Sequence, residues 1–216
     1  MVNWSAIDTV LLDMDGTLLD LHFDNHFWLE HLPLRYAQQH GCELDEARKH
    51  LHNMSEALHG SLNWYCIDYW SDNLDMDVAA LKREVQHLIR FRPGTVEFLD
   101  FLQNQGKACM LVTNAHPKAL ALKLQASGLG AHVPVQISAH TFQLAKENEG
   151  FWQSLQQHTG LDYARCLFID DSLNVLRCAR EGGLQHVLQV LQPDTTQAPR
   201  ALSEFPGLGH FQELMA

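Results

Sequence analysis

The sequence predicts an α/β protein, a doubly wound parallel sheet interrupted after its first strand by an all-helical insertion. Three observations carry this reading. Short apolar runs of strand formers recur along the chain, and from residue 93 onward helical patterns alternate with them. Residues 20–90 keep helical spacing with no strand between.

Thr9-Val10-Leu11-Leu12 is the first such run, and its continuous apolarity suits a strand buried on both faces. Similar runs follow at 108–112, 133–137, 165–169 and 186–190. Between them, Thr95 to Gln105 carries Val96, Leu99 and Leu102 at three-residue steps. Pro117 to Ser127 closes at Gly128, and Leu173 to Glu181 closes at Gly182-Gly183. Within 20–90, Phe23, Phe27 and Leu32, then Leu51, Met54 and Leu58, then Leu62, Cys66 and Tyr69, then Val78, Leu81, Val85 and Leu88 follow helical spacing. Arg92-Pro93-Gly94-Thr95 supplies the return. The expected division is therefore a core of 1–19 and 91–216 with a helical unit of 20–90. Gln192 to Gly209, rich in Pro and Gly, reads as a loose wrap without chemistry, followed by a helical turn or two.

Fifteen Lys plus Arg against 26 Asp plus Glu leave a formal charge of −11, which disfavours an extended nucleic-acid partner. No stretch approaches the ~20 apolar residues of a membrane span. Five widely spaced cysteines without a CxxC pair, and no basic-then-apolar leader pattern, point to a reducing cytoplasm. No pattern of apolar residues specifies an oligomer.

In an open α/β sheet the ligand crevice lies at the carboxyl ends of the strands. Polar residues gather there: Asp13 and Asp15 after the first strand, Thr113 and Asn114 after the second, Lys146 after the third, and Asp170, Asp171 and Ser172 after the fourth. Four carboxylates in one cleft repel unless a cation lies among them, and hard oxygen donors beside a phosphate favour Mg²⁺. Gly16 suits a backbone that approaches a phosphate closely, and amides around Met14 to Gly16 are candidate phosphate donors. Simpler readings stand beside these: Asp-Gly as a turn, Thr113-Asn114 as a helix cap, and Lys146 as a solvated lysine among Glu147 and Glu149.

Asp13-Met14-Asp15-Gly16-Thr17, Thr113, Lys146 and Asp170-Asp171, in this order, resemble the four motifs of the haloacid dehalogenase (HAD) superfamily, and the helical insertion resembles the α-helical cap of one subclass. Leu62 to Trp70, Thr113 to Pro117 and Phe168 to Ser172 are more closely similar to bacterial purine nucleotidases acting on GMP and IMP. The resemblance implies a HAD-like Rossmannoid core and a Mg²⁺-dependent phosphomonoesterase. Asp13 would be nucleophile and metal ligand, and Asp15 proton shuttle and backbone-carbonyl ligand. Gly16, Thr17, Thr113, Asn114 and Lys146 would bind the phosphate. Asp171 would complete the metal site, with Asp170 behind it or in its place. The implied partner is a small phosphorylated metabolite, a purine nucleoside monophosphate. Trp64 and Asp68, four apart on a helix, could read the base, or could equally be packing residue and surface acid. Phe23, His26 and Trp28 near the hinge, and His116 before Pro117 over the leaving group, are further candidates. A dehalogenase expels halide without a proton and has little use for Asp15. A phosphoglycolate phosphatase, or a sugar-phosphate phosphatase or mutase, would keep the same core residues, and a non-enzymatic metal-dependent module would keep the cleft without turnover.

Overall fold

The computed structural model describes residues 2–215 and contains a six-stranded, wholly parallel sheet. Its strands are β1 (Thr9–Leu12), β2 (Ala108–Thr113), β3 (Val135–Ser138), β4 (Cys166–Asp170), β5 (His186–Val190) and β6 (Gly207–Leu208), in the order β3-β2-β1-β4-β5-β6. Strand order reverses between β1 and β4, so their carboxyl ends flank the crevice such a sheet opens for a ligand. Every residue of β1 and β4 is buried. Val10, Leu12, Leu167 and Ile169 enter one core and Leu11, Phe168 and Cys166 the other, as alternation on a two-sided strand requires.

The first core is closed by Phe98, Leu99 and Leu102 of α7 (Thr95–Asn104), by α8 (Pro117–Ser127), and by Phe211 and Leu214 of the final 3₁₀ turn. The second is closed by Phe151, Trp152 and Leu155 of α9 (Glu149–Thr159) and by Val175, Leu176 and Ala179 of α10 (Leu173–Glu181).

Between β1 and α7 the helical elements are α1 (His22–His26), a π-helical turn (Phe27–His31), α2 (Leu32–His40), α3 (Leu44–Leu58), α4 (Leu62–Tyr65), α5 (Ile67–Leu74), α6 (Val78–Glu84) and a 3₁₀ turn (Gln86–Leu88). The π turn explains the five-residue step from Phe27 to Leu32, because the Leu32 N–H donates to the Phe27 carbonyl. Pro33 follows, with no N–H to offer Leu29 and a ring that crowds that carbonyl, and the widened turn accommodates it. This insertion has its own core around Phe23, Phe27, Trp70 and Leu81, joined by Ala119 of α8.

Three expectations need correction. The third strand starts at Val135 rather than 133, because the Val133 N–H goes to Leu129 and Pro134 has none. The segment after Gln192 is not a loose wrap. Residues 207–208 add a strand to β5, with Leu191 N–H on the Leu208 carbonyl at 2.9 Å. Trp64 and Asp68 do not share a helix, since Cys66 is extended (φ −85°, ψ 102°) and separates α4 from α5.

Arg92, buried where the insertion returns, ties three segments together. Its guanidinium donates to the carbonyls of Thr17 and Gln192, both at 3.1 Å, and of Gly209 at 3.4 Å. Arg92→Met strands these acceptors and should lower stability by about 2–3 kcal/mol, read from urea unfolding monitored by circular dichroism.

Candidate active site

The turn after β1 is built on Met14, whose carbonyl accepts from Leu18 and Leu19 at 3.0 and 2.8 Å. Gly16 sits at φ +87°, and a Cβ there would come within 2.9 Å of the Asp171 and Pro193 side chains. Only glycine lets this turn lie against the end of β4. Its N–H donates to the Leu19 carbonyl at 2.8 Å, so the Gly16 amide is occupied and its role is conformational, a correction to the phosphate-donor reading.

Asp13, at the end of β1, and Asp170, at the end of β4, are joined by Lys146. The Lys146 ammonium lies 2.6 Å from Asp13 Oδ1, 2.7 Å from Asp170 Oδ2 and 3.1 Å from the Val112 carbonyl, and the lysine is 2 % exposed. The solvated-lysine reading therefore fails. Asn114 Oδ1 accepts from the Lys146 N–H and Trp152 donates to its carbonyl, both at 2.8 Å, so backbone and side chain are held together. Burial by itself would lower the lysine, but Asp13 and Asp170 outweigh it and hold the ammonium charged.

Asp171 lies beside this pair, its carboxylate 3.1 Å from Arg200. Asp13, Asp170 and Asp171 can each bring a carboxylate oxygen within 4.8 Å of the others. Burial, with Asp170 and Asp13 adding repulsion, pushes the Asp171 carboxyl up to about 8, while burial opposed by Lys146 pushes Asp13 up to about 7. Three carboxylates against the Lys146 ammonium and the Arg200 guanidinium leave a net negative charge among hard oxygen donors, which suits a divalent cation. The residues present fit a divalent metal. Asp170 has both oxygens committed, one to Lys146 and one to the Ser172 N–H at 2.8 Å, whereas Asp171 keeps capacity toward the cavity.

Asp15 faces a different ammonium. Lys123 of α8 lies 2.7 Å from Asp15 Oδ1 and 2.6 Å from Asp24 of α1, and Lys82 of α6 lies 3.0 Å from the other Asp24 oxygen. Burial raises the Asp15 carboxyl to about 6 against the pull of Lys123. Asp24 goes the other way: burial would raise it, but Lys123 and Lys82 together bring it down to about 2.

These groups line a cavity of about 870 Å³ between the sheet end and the insertion. Thr113 is buried there, its hydroxyl oxygen accepting from the Ala115 N–H at 3.0 Å and its proton free to donate. Asn114 lines the wall, but both amide ends are taken, by Lys146 and by Glu147 at 2.9 Å, so it positions its neighbours. Trp28, Trp64 and His116 also line the cavity. The Trp64 indole is anchored on Ser55 at 2.8 Å. Thr17 and Asp68 do not line it. The Thr17 hydroxyl is buried without a partner, and Asp68 lies off the cavity and pairs with Lys118 at 2.6 Å, whereas Ile67 and Trp70 of the same helix line the cavity wall. Phe23 is packed in the insertion core and His26 lies off the cavity wall.

Several members escape sequence reasoning. Lys123 and Lys82 sit on helix faces, Glu147 looks like a solvated acid, and Arg200 belongs to an irregular segment. Tyr65 donates to Glu147 across the cavity wall.

This fold and this strand-end set of carboxylates, threonine and lysine define a hydrolase of the haloacid dehalogenase-like family. The chain belongs to that family, whose profile it matches over residues 7–183. It is 40 % identical over 214 residues, 99 % of its length and 96 % of the relative's, to the GMP/IMP nucleotidase YrfG of Escherichia coli, and equally to that of Shigella flexneri. Among solved structures, a HAD phosphatase from Thermococcus onnurineus superposes with a TM-score of 0.79 at 21 % identity, covering 96 % of both chains. L-2-haloacid dehalogenase from Xanthobacter autotrophicus gives 0.65 at 14 % identity, covering 97 % of both, so the fold is shared across different chemistries.

Removing the charge of Asp24 takes away the carboxylate that pairs with buried Lys82 and leaves buried Lys123 paired with Asp15. Asp24→Asn should cost about 3–5 kcal/mol of unfolding free energy, measured by denaturant titration, whereas exposed Asp45→Asn on α3 should be nearly silent.

Proposed function

We propose that the chain is a divalent-metal-dependent phosphomonoesterase, specifically a purine 5′-nucleotidase acting on GMP and IMP, and that residues 20–90 serve as its cap. The observation that carries this is the convergence of Asp13, Asp15, Thr113, Lys146 and Asp171 on one cavity walled by tryptophans of the insertion. An 870 Å³ space exceeds what a two-carbon acid such as phosphoglycolate needs, which favours a nucleotide over that alternative. The 40 % identity to a GMP/IMP nucleotidase over nearly the whole length supports the same choice. Five unpaired cysteines fit a cytoplasmic setting.

Asp13 attacks the phosphorus in line, the bond to the nucleoside oxygen breaks, and an aspartyl-phosphate forms. Asp15, whose carboxyl is raised toward neutrality, gives its proton to the leaving alkoxide and then takes one from the water that releases phosphate. Lys146, its three N–H groups engaged by Asp13, Asp170 and Val112, holds Asp13 in place and lends its positive charge, while the Thr113 hydroxyl offers a donor to the phosphoryl oxygens. Asp13 and Asp171, with the Asp15 carbonyl that the resemblance implies, would hold Mg²⁺, which supplies charge neutralisation on the transferring group. Asp170 orients Lys146. Trp64 provides an aromatic face for the base.

A panel of phosphorylated metabolites should release phosphate fastest from GMP and IMP, and EDTA should abolish release. Preference for phosphoglycolate or a sugar phosphate would overturn the substrate assignment. Asp13→Asn should lower kcat by about 10⁴-fold or more with an unchanged circular dichroism spectrum. Trp64→Ala should raise KM for GMP by the equivalent of ~1–3 kcal/mol of stacking and leave p-nitrophenyl phosphate unaffected. An equal effect on both substrates would remove Trp64 from base recognition.

A further inference from the structure

Cys66, His116 and His140 form a second cluster of metal-ligating side chains that the phosphatase chemistry does not use. One ligand atom from each, a thiol sulfur and two ring nitrogens, lies within 4.8 Å of the others. Their origins are separate. Cys66 stands at the break between α4 and α5 in the insertion, His116 caps α8, and His140 lies in the 3₁₀ turn after β3. The two imidazoles meet edge to face with centroids 4.8 Å apart.

Two details point to a ligand. His140 Nε2 is buried without a hydrogen-bond partner, which is costly for a polar atom unless something fills the place. The Asp68 carboxylate, 3.7 Å from His116 Nε2, puts negative charge beside the cluster. The cluster also lacks the hard oxygen donors that distinguish the Asp13–Asp171 site. One thiolate and two imidazoles suit zinc-class ions and disfavour Mg²⁺, and three protein ligands leave a fourth position for water or an added carboxylate. Tetrahedral bonds of ~2.0–2.3 Å require the three atoms to draw slightly together.

We propose that Cys66, His116 and His140 bind a thiophilic divalent cation of the zinc class, separately from the acidic site. Because one ligand belongs to the insertion and two to the sheet side, the bound ion staples these parts together beside the cavity mouth. If residues 20–90 open and close as a cap, a consequence that rests on the reading above, the staple holds it closed and slows turnover.

The test is cobalt as a spectroscopic probe for zinc, titrated into the full-length protein in saturating Mg²⁺ without substrate. One equivalent of Co²⁺ should bind with a thiolate-to-metal charge-transfer band, and Zn²⁺ should displace it. Cys66→Ser, which keeps a capping residue for α5, should erase the band. Both Cys66→Ser and His140→Ala should weaken Zn²⁺ binding by more than the ~10–100-fold typical of a lost outer-shell partner. Cobalt binding without the band, binding that survives in both variants, or no binding at all would each overturn the site. None of these readouts needs a substrate, so failure here is distinct from failure of the nucleotidase assignment. Micromolar Zn²⁺ should then inhibit the parent protein but spare Cys66→Ser, and equal inhibition of both would remove the staple.

Discussion

The buried ammonium of Lys146, held between carboxylates from two strands, is the constraint on which the sheet end depends. Withdrawing such charges from water costs several kcal/mol per ion, and only close pairing and full hydrogen bonding make it tolerable. The surroundings meet that condition. Val112 supplies a carbonyl, Asn114 fixes the backbone ahead of the lysine, and Trp152 fixes the carbonyl behind it. Three strand ends are thereby locked to one nitrogen atom, and Asp13 is presented with one oxygen already committed.

The two acids after β1 acquire different characters from their neighbours. Asp13 shares Lys146 with Asp170, in a group of carboxylates that fits a divalent metal. Asp15, one residue from its neighbour Met14 and facing the insertion, shares Lys123 with Asp24. Carboxylates held in unlike environments can divide nucleophilic and acid–base roles, and the proposed mechanism uses that division within one short turn. The Asp15–Lys123–Asp24–Lys82 chain also couples Asp15 directly to α1 and α6, so a movement of the insertion would be felt at that carboxylate.

Much of the sheet was legible because its strands are continuous apolar runs that end in polar residues, and four of the six ends turn those residues toward one cavity. Asp13, Asp15, Thr113, Lys146, Asp170 and Asp171 could be read for that reason, and all meet at one cavity. What stayed hidden has no local signature. Lys123 and Lys82 look like ordinary helix-face lysines until the insertion folds over them, and Arg200 reaches Asp171 only because residues 207–208 pin the C-terminal segment to β5. The pairing of Trp64 with Asp68 failed because helical periodicity does not register a single extended residue, here Cys66, that divides two short helices. The helix α9 was likewise missed, although its cap at Asn148 and its buried Phe151, Trp152 and Leu155 are regular.

The widened turn at Phe27–His31 stores one residue more than a regular helical turn requires. Each residue advances an α-helix by about 100°, so the phase of everything from Leu32 to His40 is set by that surplus. Leu32 and Pro33, on one cavity wall, face inward by virtue of backbone phase as much as side-chain identity. Gaining or losing a single codon there would re-aim the wall without altering any other amino acid. The shape of the chamber can thus drift by insertion and deletion, while the reacting groups on the sheet stay where they are.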